Sequence, residues 1–126
     1  MDWKFRSDLP IYSQLVEQIK LGIVSGNLLP GERLMSVRDM ATEAGVNPNT
    51  MQRALQELER DGMVYSQRTA GRFVTENMQV IERAKKKFAE EQIRSFLEAM
   101  KKLGYQWEEI LALLKEKEEE EENGDS

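Results

Sequence analysis

Gly45-Val46-Asn47-Pro48-Asn49-Thr50-Met51-Gln52-Arg53-Ala54 is the stretch on which the fold turns. Gly45 suits a turn that needs positive φ. Asn47 is a favoured N-cap, and Pro48 at the first helical position gives up only an N–H that has no helical partner anyway. Met51, Ala54, Leu55 and Leu58 recur at i, i+3, i+4 and i+7, which makes one apolar stripe along the helix that follows. The opposite face carries Asn49, Thr50, Gln52, Arg53 and Gln56, the amide, hydroxyl and guanidinium groups that can read base edges in a major groove.

Upstream, Ser36 caps a short helix. Ser36-Val37-Arg38-Asp39 follows the capping-box pattern with Asp in the acidic position. Val37, Met40, Ala41 and Ala44 face inward, and Gly45 ends this helix and opens the next, so the pair is predicted to form a helix-turn-helix. A further helix is predicted from Ile11 to Ser25, with Tyr12, Leu15, Val16, Ile19 and Ile23 as its buried stripe and Gly26 at its C-terminal end. Pro30-Gly31 presets a type II turn between the two.

Downstream, the third helix runs to about Asp61, with Gly62 beyond it. The hydrophobic period then changes from helical to alternating. Met63-Val64-Tyr65-Ser66-Gln67 and Arg72-Phe73-Val74-Thr75 read as strands joined by Arg68-Thr69-Ala70-Gly71, a hairpin placed as the wing of a winged helix. The competing arrangement is a three-helix bundle with a loose loop.

From Met78 the pattern is helical again. Ile81, Ala84, Phe88, Phe96, Met100 and Leu103 mark a long amphipathic helix ending near Gly104. Trp107, Ile110, Leu111 and Leu114 share a face of a second helix starting near Gln106. Such an αα-hairpin cannot bury two large apolar stripes by itself, so Ile81, Phe88, Phe96, Met100, Trp107, Ile110, Leu111 and Leu114 are expected to pair with a second copy, two-fold dimers being the commonest oligomers. The expected organisation is mainly α with a small β-hairpin: a DNA-binding domain over 1–77, a dimerisation hairpin over 78–115, and an acidic, disordered tail over 116–126.

Composition sets the bounds. At 126 residues and 40% apolar, the chain supports one modest core and an appendage. With no cysteine or histidine, thiolate nucleophiles, cysteine zinc sites, the usual general base and the commonest transition-metal ligand are all missing. An enzyme is not expected, nor a metal or cofactor. The first residues lack the apolar core of a signal peptide, and no run approaches the roughly 18 apolar residues of a membrane span, so a soluble cytoplasmic protein without a membrane partner is expected. The formal net charge of −5 argues against DNA binding at first sight. Residues 1–77 carry nine Lys/Arg against ten Asp/Glu, a net of −1, and 78–126 carry nine against thirteen, a net of −4. DNA contact must therefore come from a local basic patch and gain from dimerisation.

Several segments in this order carry a resemblance. Pro10-Ile11-Tyr12-Ser13-Gln14-Leu15, Gly26-Asn27-Leu28-Leu29-Pro30-Gly31-Glu32-Arg33-Leu34, Ser36-Val37-Arg38, Gly45-Val46-Asn47-Pro48-Asn49-Thr50 and Gly71-Arg72-Phe73-Val74 together resemble the N-terminal domain of GntR-family bacterial transcription regulators, over roughly residues 9–75. The Asn-Pro-Asn-Thr turn and the small helical C-terminal region are similar to the YtrA-type branch, as is Lys102-Leu103-Gly104-Tyr105 followed by Trp107-Glu108-Glu109-Ile110. The resemblance implies a homodimeric regulator, a repressor by preference, that binds a palindromic double-stranded DNA operator, often of a transporter operon. It implies a DNA-contacting role for Arg38. Asn47 and Thr50 are read as phosphate ligands, with capping alone as the alternative for Asn47; Ser36 is read first as a cap and next as a phosphate ligand; Asn49 lies beside them at the helix start, and Gln52 and Arg53 are read as base contacts. Met35 stands where the family usually has Pro, and Thr69 replaces the first glycine of the wing's Gly-x-Gly, leaving Gly71. Arg68 and Arg72 are expected to reach phosphates or the groove there. The sequence names no small-molecule effector, and residues 78–126 are too few for a separate ligand domain, so a ligand would have to sit at the hairpin, at the dimer interface or between domain and hairpin. The alternative function is a winged helix that docks proteins without specific DNA binding.

Overall fold

The computed structural model describes residues 1–124. Its elements are α1 (Ile11–Val24), α2 (Val37–Ala44), α3 (Pro48–Arg60), β1 (Val64–Gln67), β2 (Gly71–Val74), α4 (Met78–Lys102) and α5 (Trp107–Gly124). They divide into two units, Met1–Lys86 and Lys87–Ser126.

In the first unit the stripes foreseen on the three helices meet. Leu15, Ile19 and Ile23 of α1, Met40 and Ala41 of α2, and Met51, Ala54, Leu55 and Leu58 of α3 form one buried cluster with Val64 and Val74 of the hairpin. Burial at roughly 25 cal/mol per Å² of apolar surface makes this cluster the chief stabilising term of the unit. β1 and β2 pair antiparallel, with Val64 opposite Val74, Tyr65 opposite Phe73 and Ser66 opposite Arg72. A third edge joins them. Gly31 N–H donates to Val74 O, Val74 N–H to Glu32 O and Leu34 N–H to Arg72 O, which sets Arg33 opposite Phe73. The Pro30-Gly31 turn that leads in has the Glu32 N–H to Leu29 O bond and a Gly31 φ of +78°, as a type II turn requires.

The lead-in before α1 is fixed by amide side chains. Gln14 accepts from Arg6 N–H and donates to Arg6 O and Leu9 O, while Gln18 accepts from Lys4 N–H and donates to Lys4 O. One helical turn apart, the two glutamines bond the extended chain much as a neighbouring strand would. This brings Trp3 and Phe5 against the core, their rings stacked at 6.2 Å.

Three expectations are corrected here. The boundary falls at Lys86/Lys87, not after residue 77. The reason is Ile81, which was assigned to the dimer surface but is buried in the winged-helix cluster, with Val80 and Ala84 packed against it. Ile110 is likewise fully buried within the chain and is not open to a second copy. The segment from Glu116, expected to be disordered, continues α5 as far as Gly124. Glu and Lys are good helix formers, no breaker interrupts them before Gly124, and Lys117 and Glu120 add an i,i+3 pair at 3.7 Å. Residues 125 and 126 of that segment lie outside the described residues.

In the second unit α4 and α5 are joined by a tight turn at Gly104, where φ is +96° and Tyr105 N–H closes on Met100 O. Glu109 accepts from Gln106 N–H at the start of α5.

Candidate nucleic-acid interface

The helix-turn-helix is built as its residue types dictate. Ser36 Oγ accepts from Asp39 N–H at 3.1 Å and so caps α2. The return bond of a full capping box is missing, Asp39 being a methylene shorter than glutamate. Gly45 adopts the left-handed conformation at φ 70°, ψ 35° and turns the chain into α3. Asn47 Oδ1 accepts from Asn49 N–H at 2.8 Å, with Pro48 in the first turn. Asn47 and Ser36 are therefore caps in this structure, and both remain exposed.

On α3 the stripe of Met51, Ala54, Leu55 and Leu58 is fully buried, and the other face is left to solvent. Asn49 and Arg53 are exposed, and Thr50 and Gln52 half-buried. The Arg53 guanidinium lies 3.6 Å from the ring centroid of Tyr12 on α1. Stacking uses the flat face of the guanidinium and leaves its in-plane N–H donors unspent. Tyr12, read from the sequence only as a core residue, therefore presets the side chain expected to read bases.

The wing separates its two arginines. Arg68 is exposed in the turn, which closes by Ala70 N–H to Gln67 O. Thr69 has a negative φ like every non-glycine residue described, so the lost glycine costs no backbone strain. Gly71 keeps a φ of +106°. Arg72, expected to reach DNA, is turned the other way. Strand alternation sends Arg72 and Ser66 to the helix side, where Arg72 Nε meets Glu59 Oε1 of α3 at 2.5 Å and Ser66 Oγ donates to the same oxygen. Burial pushes the Glu59 carboxyl up, but the Ser66 hydroxyl, the Arg72 N–H and the Arg72 charge outweigh it and hold it below the ordinary value of 4.5. Arg72 thus fastens the wing to α3. The alternation of Ser66 and Arg72 carried that signal; the position of Glu59 on the facing helix did not follow from any local pattern.

This sorting resolves the charge puzzle. Of the seven arginines before residue 78, Arg6, Arg60 and Arg72 are ion-paired, to Asp8, Glu57 and Glu59. Arg33, Arg38, Arg53 and Arg68 make no ion pair among the described residues, and all four lie on or beside the helix-turn-helix and wing. Over residues 1–77, which are nearly neutral, the arginines without ion pairs therefore lie in the region that the fold would offer to DNA; Arg83, on α4 in the same unit, also makes no ion pair among the described residues. Arg33 is the member that the sequence reading left out.

A family model described as "Bacterial regulatory proteins, gntR family" matches residues 11–74. The chain belongs to the GntR family. Among its relatives is the uncharacterized HTH-type transcriptional regulator YhcF of Bacillus subtilis, 43% identical over 115 residues, which cover 91% of this chain and 95% of that protein. The HTH-type transcriptional repressor YtrA of the same organism is 43% identical over 72 residues, covering 57% of this chain and 55% of its own. A GntR family transcriptional regulator from Listeria monocytogenes superposes with a TM-score of 0.81 at 39% identity, over 89% of this chain and 98% of that structure. These likenesses agree with the YtrA-type branch of the GntR family and identify a DNA-binding transcription regulator, a family of regulators rather than enzymes. No helix among the described residues is long and apolar enough to cross a membrane.

Proposed function

We propose that this GntR-family regulator acts as a homodimeric repressor on a palindromic operator, in the cytoplasm, with a transporter operon as its target. The observation that carries the DNA side is the set of arginines without ion pairs around a capped, solvent-facing α3. Arg38 on α2 and Arg53 on α3 contact base edges, with Asn49, Thr50 and Gln52 beside them. The positive end of the α3 dipole, with Ser36 and Asn47, favours phosphate there. Arg68 and Gly71 carry the wing contact, while Arg72 positions the wing. The dimer side is supported by Phe96, Trp107, Leu111 and Leu114, all exposed in the single chain, with Phe88 and Met100 half-buried next to them. The likeness to the repressor YtrA supports the repressor sign, and the resemblance to that branch suggests the transporter target.

Mobility shifts on the DNA upstream of the protein's own reading frame test this reading. Arg38→Ala should weaken specific binding by about 1–3 kcal/mol if it meets a base. An Arg38→Ala/Arg53→Ala double variant that keeps full affinity and the wild-type salt dependence would sink the assignment. Absence of any specific shift by the wild type would favour a protein-docking winged helix.

A further inference from the structure

We infer that Arg33, on the strand that edges the hairpin, supplies the second phosphate-binding cation of the wing, the place expected of Arg72. The inference rests on the DNA-binding reading above. Its basis is the geometry of three paired segments. Arg33 lies opposite Phe73 in an antiparallel bridge flanked by Leu34 N–H to Arg72 O and Val74 N–H to Glu32 O. Directly paired residues project from the same face of a sheet, and so do residues two apart on one strand. Arg33, Phe73 and Gly71 therefore share the outer face, where Phe73 stacks on Tyr65 at 5.6 Å. Leu34, Arg72 and Val74 share the inner face. There Leu34 and Val74 are buried, and Arg72 is consumed by Glu59.

The outer face sends the Arg33 side chain diagonally toward the wing turn. Its Nε lies 3.2 Å, and its terminal nitrogen 3.6 Å, from the point a Cβ on Gly71 would occupy. The missing side chain of Gly71 is thus the seat of the Arg33 guanidinium, a second use for that glycine beside its φ of +106°. Arg33 is exposed and makes no ion pair among the described residues, so none of them neutralises it. With Arg68 in the same turn, the wing presents two cations on the side away from the core. A guanidinium seated beside the backbone of the wing turn suits a phosphate oxygen, and the contact is independent of base sequence.

The experiment is a salt titration of binding to a short mixed-sequence DNA duplex, read by fluorescence anisotropy, for wild type, Arg33→Ala, Arg33→Lys and Arg72→Ala. Each phosphate contact contributes about 0.9 to the slope of log affinity against log salt. Arg33→Ala should lower that slope by about one while melting at the wild-type temperature, and Arg33→Lys should restore it because the charge is kept. Arg72→Ala should lower the melting temperature and leave the slope unchanged. The inference is overturned if Arg33→Ala retains the full slope, or if Arg72→Ala is the variant that loses it. A wild type that binds neither this duplex nor its own promoter region fails at the prior step and takes the DNA reading with it. Normal wild-type binding with an unmoved Arg33→Ala slope removes the Arg33 inference alone.

Discussion

From Met1 to Lys86, apolar side chains of α1, α2, α3, the hairpin and the start of α4 close on one another, and what they leave outside is mostly polar. From Lys87 onward the proportions reverse. Ile110 is the only buried residue among those described there, while Ile93, Phe96, Leu103, Tyr105, Trp107, Leu111, Leu113 and Leu114 are exposed. Both regions are mainly helical, the hairpin belonging to the first alone, and both carry apolar stripes along their helices. The first satisfies its hydrophobic stripes within the chain; the second holds similar stripes without covering them. Exposed apolar side chains in this number are what the proposed dimer contact would cover.

Substitutions can break or sharpen this contrast. The largest effect is expected in the closed unit. Leu55→Ala should destabilise it by about 2–5 kcal/mol in urea unfolding, because a fully buried leucine leaves a cavity. Next comes the open unit. Trp107→Ala should weaken self-association by about 2 kcal/mol or more, seen by sedimentation as a shift toward monomer, with the urea midpoint of the diluted monomer unmoved. If the winged helix unfolds with that change, the two units are not separable in this way.

A smaller effect is expected where the wing meets α3. Glu59→Gln should cost about 1–2 kcal/mol, the pair being partly wetted, and should speed hydrogen exchange in the hairpin. The same carboxylate gives a pH dependence with a definite sign. Because its folded pKa lies below the ordinary 4.5, its contribution is present above that value and is lost as pH falls through the folded pKa. The wild type should therefore lose more stability than Glu59→Gln between neutral pH and pH below 4.5. The smallest effect belongs to the acidic end of α5. Glu120→Gln should change helicity by less than about 0.5 kcal/mol, since its pair with Lys117 is exposed.

What was legible in the chain beforehand was local. Gly45, Asn47 and Pro48 announce their turn and cap by chemistry that operates within a few residues, and the stripe from Met51 to Leu58 announces its buried face. What was not legible joins distant elements. Ile81 looks alike whether it covers a second copy or its own core, and only the position of α4 decides. Arg72 reads as a wing cation until Glu59, thirteen residues back in sequence, appears opposite it. Arg33 follows the Pro30-Gly31 turn, and its pairing with Phe73 comes from a strand edge that no period-two run predicts in so short a segment. The acidic end of α5 was misread because charge suggests solvation, whereas helix propensity there meets no opposing breaker.

The placement of Trp3 and Trp107 has a practical consequence. The chain has two tryptophans, and the two units receive one each. Trp3 is half-buried, stacked on Phe5, and donates its indole N–H to Glu43 at 2.9 Å; Trp107 is 52% exposed. Indole emission moves to longer wavelength as water reaches the ring. Trp3→Phe and Trp107→Phe therefore turn the protein into a pair of single-colour reporters. One follows the melting of the DNA-binding unit, and the other turns blue only when something dry covers α5.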